Sequence, residues 1–418
     1  MSVPREPGPD SQVTFFELST RAEEDGNVVV GRADTGDFVL FPEVGARIIQ
    51  ELNRGACLGD VAESLSRNGP AVDVVNFVRQ LSECGFVRAV DGVPVADAPT
   101  GHRGSLPWLN TRHVAWMFTG PAYAAYSLAV AAAVAVLVLQ PRVRPHYADF
   151  FFSRSTSVVL AGSTVLFIAI AALHEFAHLA SARAAGVPAR ISFGTRLYSL
   201  VAQTDVSGLW AASRADRMRT YLAGMGMDLV LGSALVLART FSAAGGWADR
   251  VMAAAVVVII AGIAGQFQLF LRTDLYFVTA EWLRARNLFE DAAVQFAHTV
   301  RSWTRRPGRG EHPLAALPPG ERRVVTGYCV VMVAGTLVSL TVFAAYLLPA
   351  LVLLLVRAGH GLSGGIASGH VLAVLDGAAT LVVGGGTELL IAIIALRSLP
   401  PWLRRLRGRL NTSAESVG

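Results

Sequence analysis

Apolar residues along this chain gather into six long runs, at roughly 115–139, 157–181, 220–239, 250–271, 325–356 and 371–396. Each is long enough to cross a bilayer, which takes about 18 to 20 mostly apolar residues. The first ninety residues are patterned differently. Val28-Val29-Val30 and Phe38-Val39-Leu40 flank the turn-forming Ala33-Asp34-Thr35-Gly36, which predicts a β-hairpin. Three helices are expected near 43–53, 58–67 and 72–83, broken at Gly55 and at Asn68-Gly69-Pro70. Val44, Ile48, Ile49 and Leu52 fall on one face of the first, and Val74, Val75, Phe77, Val78 and Leu81 on one face of the third. Phe86-Val87 closes the unit. Between the second and third runs, Ala189–Phe193 and Arg196–Val201 read as extended segments separated by Gly194, a β-ribbon. The expected fold is an α-helical polytopic membrane protein of about six spans with a small N-terminal α+β winged-helix domain.

This pattern divides the chain into a domain at 1–95, a linker at 96–114 and a core of four spans at 115–300. An Arg/Pro-rich loop at 301–324, two further spans within 325–410 and a tail at 411–418 complete it. Composition agrees: 53% of the 418 residues are hydrophobic and 16% charged, against about 25% charged in ordinary soluble domains. A purely soluble protein is excluded.

Charge then sets the topology. All 36 basic residues are Arg; residues 1–100 carry a net −8 and residues 101–418 a net +13. The polar, acidic N-terminus has no short apolar core, so no signal peptide is expected and the first hundred residues stay in the cytoplasm. From that start, 22 Arg fall in segments on the cytoplasmic side and 6 outside, as the positive-inside rule requires. The expectation is a multi-pass protein of the cell (cytoplasmic) membrane with both termini in the cytoplasm. A winged helix often binds DNA, but phosphate contacts need a basic face, so nucleic acid is not expected as a partner. Cys57, Cys84 and Cys329 are widely spaced and form no metal or disulfide pattern.

Ionisable residues inside spans are costly and mark function or an aqueous cavity. The runs contain His174, Glu175 and His178, then Asp228, Asp376 and Glu388, with Asp274 just past the fourth. Residues 174–178 read His-Glu-Phe-Ala-His. On a helix the two histidines share a face and can hold one zinc ion, with Glu175 placed to deprotonate the attacking water. A catalytic zinc usually takes a third protein ligand. His174 and His178 lie ~10 and ~5 Å from the inner end of their span, and Asp228 ~12 Å into the next. Asp274, at the inner end of the fourth span, is at a compatible level and is the expected third ligand. Asp228 is the alternative, as ligand or as a partner that orients the site. Asp376 sits near the outer face, and it and Glu388 read as packing polarity in a Gly-rich span.

These residues resemble the site-2 protease family of intramembrane zinc metallopeptidases, over roughly 157–295. His174, Glu175 and His178 match its zinc helix, and Asp274, in Phe-Leu-Arg-Thr-Asp-Leu-Tyr, matches its later aspartate. Ala223-Gly224-Met225-Gly226 looks like the family's Ala-Gly-Pro stretch, which opens a helix. Leu275 stands where the family has Gly, and Met225 where it has Pro. The acidic N-terminal segment resembles PqqD-like domains, which recognise leader peptides of ribosomally made, modified peptides by accepting a strand on a sheet edge.

Together these resemblances imply a zinc metalloendopeptidase. Its cofactor is Zn2+, held by His174, His178 and Asp274, and Glu175 is its catalytic residue. It would act on a precursor peptide in a ribosomal peptide natural-product pathway, with the daptide type as a narrower candidate, and it would sit in the lipid bilayer. Two other functions fit the same sequence: an export or immunity component with a non-catalytic metal site, or cleavage of an anti-sigma-type protein.

Overall fold

The computed structural model describes residues 7–386 apart from 23–25, 33, 36, 68–71, 96–103, 197–198, 206, 286, 305–313 and 316. Glu388, the Arg-rich stretch at 397–409 and the Asn68-Gly69-Pro70 break lie outside the described residues. Two compact units result, one of Met1–Ala122, Phe176–Ser192 and Thr204–Thr220, the other of the remaining segments.

In the first unit, strands β1 (Val13–Phe15), β2 (Ser19–Ala22), β3 (Asn27–Arg32) and β4 (Asp37–Pro42) precede helices α1 (Glu43–Asn53), α2 (Leu58–Ser66) and α3 (Val74–Glu83). Strands β5 (Val87–Val90) and β6 (Val93–Pro94) follow. The expected hairpin is β3–β4, with Val30 opposite Val39 and Val28 opposite Phe41. The sequence pattern missed β1, β2 and β6. β2 pairs with β3, and β1 pairs with β5 through Val13 and Val90, giving two three-stranded sheets. Ile48, Leu52, Leu58, Val78, Leu81 and Phe86 lie in the core, so each helix buries an apolar face, although Val44 at the start of α1 is exposed.

Arg32 is 1% exposed. Its guanidinium lies 3.7 Å over the Phe16 ring, donates to Gly85 O at 2.9 Å and bonds Asp34 at 2.7 and 3.0 Å. That guanidinium holds the Asp34 carboxyl below its ordinary range. The β2–β4 sheet packs on the 3-10 turn Ser207–Ala211, and Arg21 Nη1 donates to Ala212 O at 2.8 Å. The short helix α4 (Thr111–Val114) is tied down by Thr111 Oγ1, which donates to Arg183 O at 2.8 Å.

Apart from one two-stranded ribbon, the described residues beyond the N-terminal region are mostly helical. Among the described residues, five helical segments are long and apolar enough to cross a membrane: α5 (Gly120–Leu139), α6 (Thr156–Ala184), α7 (Arg214–Thr240), α8 (Trp247–Gln266) and the continuous run Pro319–Ser368. The chain is a polytopic helical membrane protein with a small strand-rich N-terminal region. Polarity is inverted along α6, as a lipid-facing helix demands: Val165, Phe167 and Ile168 are 56–65% exposed, whereas His174, Glu175 and His178 are 6–9% exposed.

Several details differ from the pattern. The ribbon between α6 and α7 is β7 (Arg190–Arg196) and β8 (Ser199–Asp205), so Gly194 lies inside β7 and does not separate the strands. α7 runs unbroken through Ala223-Gly224-Met225-Gly226. Met225 keeps the backbone N–H that proline would lack, so nothing interrupts the hydrogen-bond ladder there. α8 ends at Gln266, five residues before the apolar run does. A 3-10 turn (Leu269–Leu271) then leads to α9 (Asp274–Trp282) and α10 (Leu288–Thr304).

The fifth apolar run is longer than one bilayer crossing. α11 (Pro319–Val342) continues through a π-turn at Phe343–Leu347 into α12 (Leu348–Ser368). The wider turn lies just before Pro349, whose ring would otherwise crowd the carbonyl four residues back. Gly369, at φ +70°, ends the run. In place of the sixth long span, the described residues hold a shorter apolar helix, Val371–Gly385, comprising α13 (Val371–Thr380) and a π-turn. α13 packs back on α12 so closely that a Cβ on Gly377 would fall 2.7 Å from Ala358 O.

Candidate metal centre

α6 carries His174 and His178 one turn apart on one unbroken helix, both buried. Their ring nitrogens are held differently. His174 Nδ1 donates to Asp228 Oδ2 of α7 at 2.8 Å. His178 Nδ1 donates to the Thr220 carbonyl, also on α7, at 2.7 Å. The Thr220 hydroxyl is 2.9 Å from Ser181 Oγ on α6, which pins that carbonyl in place. A ring whose Nδ1–H is committed to an oxygen presents its Nε2 lone pair to whatever lies on the other side.

On that other side of His174 is Asp274. Its Oδ2 lies 2.8 Å from His174 Nε2, and ligand atoms of His174, His178 and Asp274 all fall within 4.8 Å of one another. Asp274 is the first residue of α9. Its own N–H donates to Gln266 Oε1 at 3.0 Å, and Thr273 Oγ1 donates to Gln266 O at 2.6 Å.

The residues fit a divalent metal in three respects. Two imidazoles and one carboxylate are a common ligand set for catalytic zinc, which leaves one position open. Each histidine has a hydrogen-bond acceptor on its far nitrogen, the arrangement that fixes tautomer and ring orientation in metal sites. Charge balance also favours a cation. Asp228 is 4% exposed, and its Oδ1 has no hydrogen-bond partner among the described residues. Asp228 and the partly buried Asp274 set two carboxylates against one imidazole, and a divalent ion offsets both charges.

Of the residues singled out from sequence, Asp274 thus lies with the two histidines, and Asp228 lies behind His174 on its Nδ1. Glu175 is buried in the same turn of α6. Asp376 sits elsewhere, at the N-terminus of α6. Its Oδ1 accepts from Ser155 Oγ, from Ser157 Oγ at 2.6 Å and from Ser157 N at 3.0 Å. It therefore supplies a capping carboxylate to a helix 219 residues earlier in the chain.

Thr220 and Gln266 were not legible as site residues. Thr220 acts through a backbone carbonyl, which any residue would provide. Gln266 is an ordinary polar residue at a helix end. No protein-family model, curated protein or solved structure matches the chain. The chemistry of the site is therefore argued from its own residues.

Proposed function

We propose that this chain is a zinc-dependent intramembrane peptidase of the site-2 protease type, acting on a peptide bond near the cytoplasmic membrane face. The observation that carries the proposal is the grouping of His174, His178 and Asp274 within 4.8 Å, with each histidine's Nδ1 held by an oxygen of α7. His174, His178 and Asp274 would hold the zinc. When bound, zinc supplies a Lewis acid that polarises the scissile carbonyl and lowers the pKa of water. Glu175, adjacent to His174 and shielded from solvent, takes the proton of the attacking water and returns it to the leaving amine. Asp228 and the Thr220 carbonyl keep the imidazoles turned toward the centre.

The N-terminal domain supports a more specific substrate. Its two small sheets, three helices and acidic charge suit a PqqD-like reader of leader peptides. Such a reader would raise the local concentration of a precursor peptide at the membrane. The proposed role is leader removal or maturation of a ribosomally synthesised, modified peptide, with both termini of the enzyme in the cytoplasm.

The test is co-expression with a candidate precursor peptide that carries a leader segment, followed by mass spectrometry of that peptide. The wild-type chain should shorten it. Glu175→Gln should retain zinc and lower cleavage by roughly 10²–10⁴-fold. Equal cleavage by the two proteins would refute the mechanism.

A further inference from the structure

The structure assigns Gln266 as the positioning residue for Asp274, an assignment that rests on the metal-site reading above. Asp274 follows the loop 267–273, and a ligand delivered from a loop needs its backbone fixed to hold its carboxylate to a few tenths of an ångström. Gln266, the last residue of α8, closes that loop from both its side chain and its backbone. Its Oε1 accepts the Asp274 N–H at 3.0 Å, and its carbonyl accepts the Thr273 hydroxyl at 2.6 Å. Thr273 is buried, which shields the second bond from water. The side-chain bond satisfies an N–H in the first turn of α9, one of the donors that a helix cannot pair internally.

The local backbone shows why such a clamp is needed. Arg272 adopts the left-handed conformation, φ +56° and ψ +46°, immediately before Thr273 and Asp274. An arginine has no intrinsic preference for that region, so surrounding contacts must hold the turn. The Gln266 amide bonds the backbone N–H of Asp274 itself.

The remainder of the loop is anchored independently. Tyr328 of α11 donates to Leu269 O at 3.0 Å, and the Phe270 ring packs on Gly335 of α11, where a Cβ would clash at 2.3 Å. The Arg272 guanidinium also pairs with Glu290 at 3.1 Å and lies 5.2 Å over Phe289. Removing the Gln266 amide therefore takes the acceptor from the Asp274 N–H and leaves the rest of the loop held. This also gives α11 a task beyond crossing the membrane, as the wall that braces the ligand loop.

Two substitutions in the full-length protein in detergent or nanodiscs test the assignment. Gln266→Met keeps the side chain's length and removes the acceptor; Gln266→Glu keeps an acceptor. Zinc content and release to a chelator are read alongside thermal unfolding, with no substrate present. Gln266→Met should weaken zinc binding roughly 10–100-fold, the usual cost of losing an outer partner of a metal ligand. Gln266→Glu should retain zinc, and both should unfold near the wild-type temperature. Zinc retention by Gln266→Met equal to wild type would overturn the assignment, as would equal loss in both variants accompanied by reduced stability. Because the readout needs no peptide, a wild-type protein that binds zinc and cleaves nothing would count against the peptidase reading while the Gln266→Met comparison still decides the assignment.

Discussion

Asp228 Oδ2 lies 2.8 Å from Nδ1 of His174, and Asp274 Oδ2 lies 2.8 Å from Nε2 of the same ring. One imidazole thus bridges two carboxylates from two different helices, and the two acids have different tasks. On the reading proposed above, Asp274 is a metal ligand and Asp228 orients the ring.

That difference predicts graded effects at Asp228. Asp228→Asn keeps an acceptor for Nδ1–H but removes the charge, and should weaken zinc binding by roughly 10-fold. Asp228→Leu removes both and should approach 100-fold. Asp274→Asn should abolish stoichiometric zinc. Metal analysis of the purified variants after dialysis against a chelator checks the order.

Removal of the metal should stop cleavage reversibly. Chelator-treated protein should lose peptide processing and regain it with zinc, but not with magnesium, which prefers six oxygen ligands to imidazole. Mass spectrometry of the peptide product checks this. Failure of zinc to restore activity would point away from a metal-dependent reaction.

Asp376→Asn should lower stability without touching the metal. The carboxylate accepts from Ser157 N and Ser157 Oγ at the start of α6, and loss of a charged cap costs about 0.5–2 kcal/mol. Thermal unfolding in detergent should fall while zinc content stays at wild type. Lost zinc in this variant would mean that the two ends of α6 are coupled.

In the N-terminal domain, Arg32→Leu should cost about 2–3 kcal/mol, because it removes the bond to Gly85 O and the contact with Phe16 from a buried position. The pH dependence follows from Asp34, whose carboxyl is held below its ordinary value of 3.8. A depressed pKa means that the Arg32 pair contributes fully above that value and is lost as acid protonates Asp34. Asp34 is 46% exposed, so the contribution is under about 1 kcal/mol. Limited proteolysis of the protein between pH 3 and 7 should show the gap between wild type and Arg32→Leu narrowing by under about 1 kcal/mol at the acid end, with the rest of it retained.

The parts of the fold visible in the sequence are those written in side-chain hydrophobicity. α1 and α3 and the cores of the membrane helices follow from apolar spacing and length. β1 and β6, with three and two residues, are too short to show alternation, and β1 exists because Val13 meets Val90 far along the chain. His174, Glu175 and His178 were visible because the spacing is chemical. Asp274 could be proposed from its depth, but depth alone could not tell its task from that of Asp228. The side of the imidazole that each acid faces is a property of packing, as is the use of the Thr220 carbonyl. The run through Pro349 was read from its apolar content, but its extension to Ser368 was hidden, since Arg357, His360 and the glycines that follow interrupt the apolar pattern.

The bond between Asp376 and the serines at the head of α6 also has a consequence in time. Ser155 and Asp376 are separated by 221 positions in the chain. At the roughly 5–20 residues per second of synthesis, that acid is made on the order of ten to forty seconds after the serines. The helix that carries His174 and His178 is therefore made before the carboxylate that caps it, with only the Ser155 hydroxyl to accept the Val158 N–H in its first turn. The membrane architecture is completed from its last helices backward.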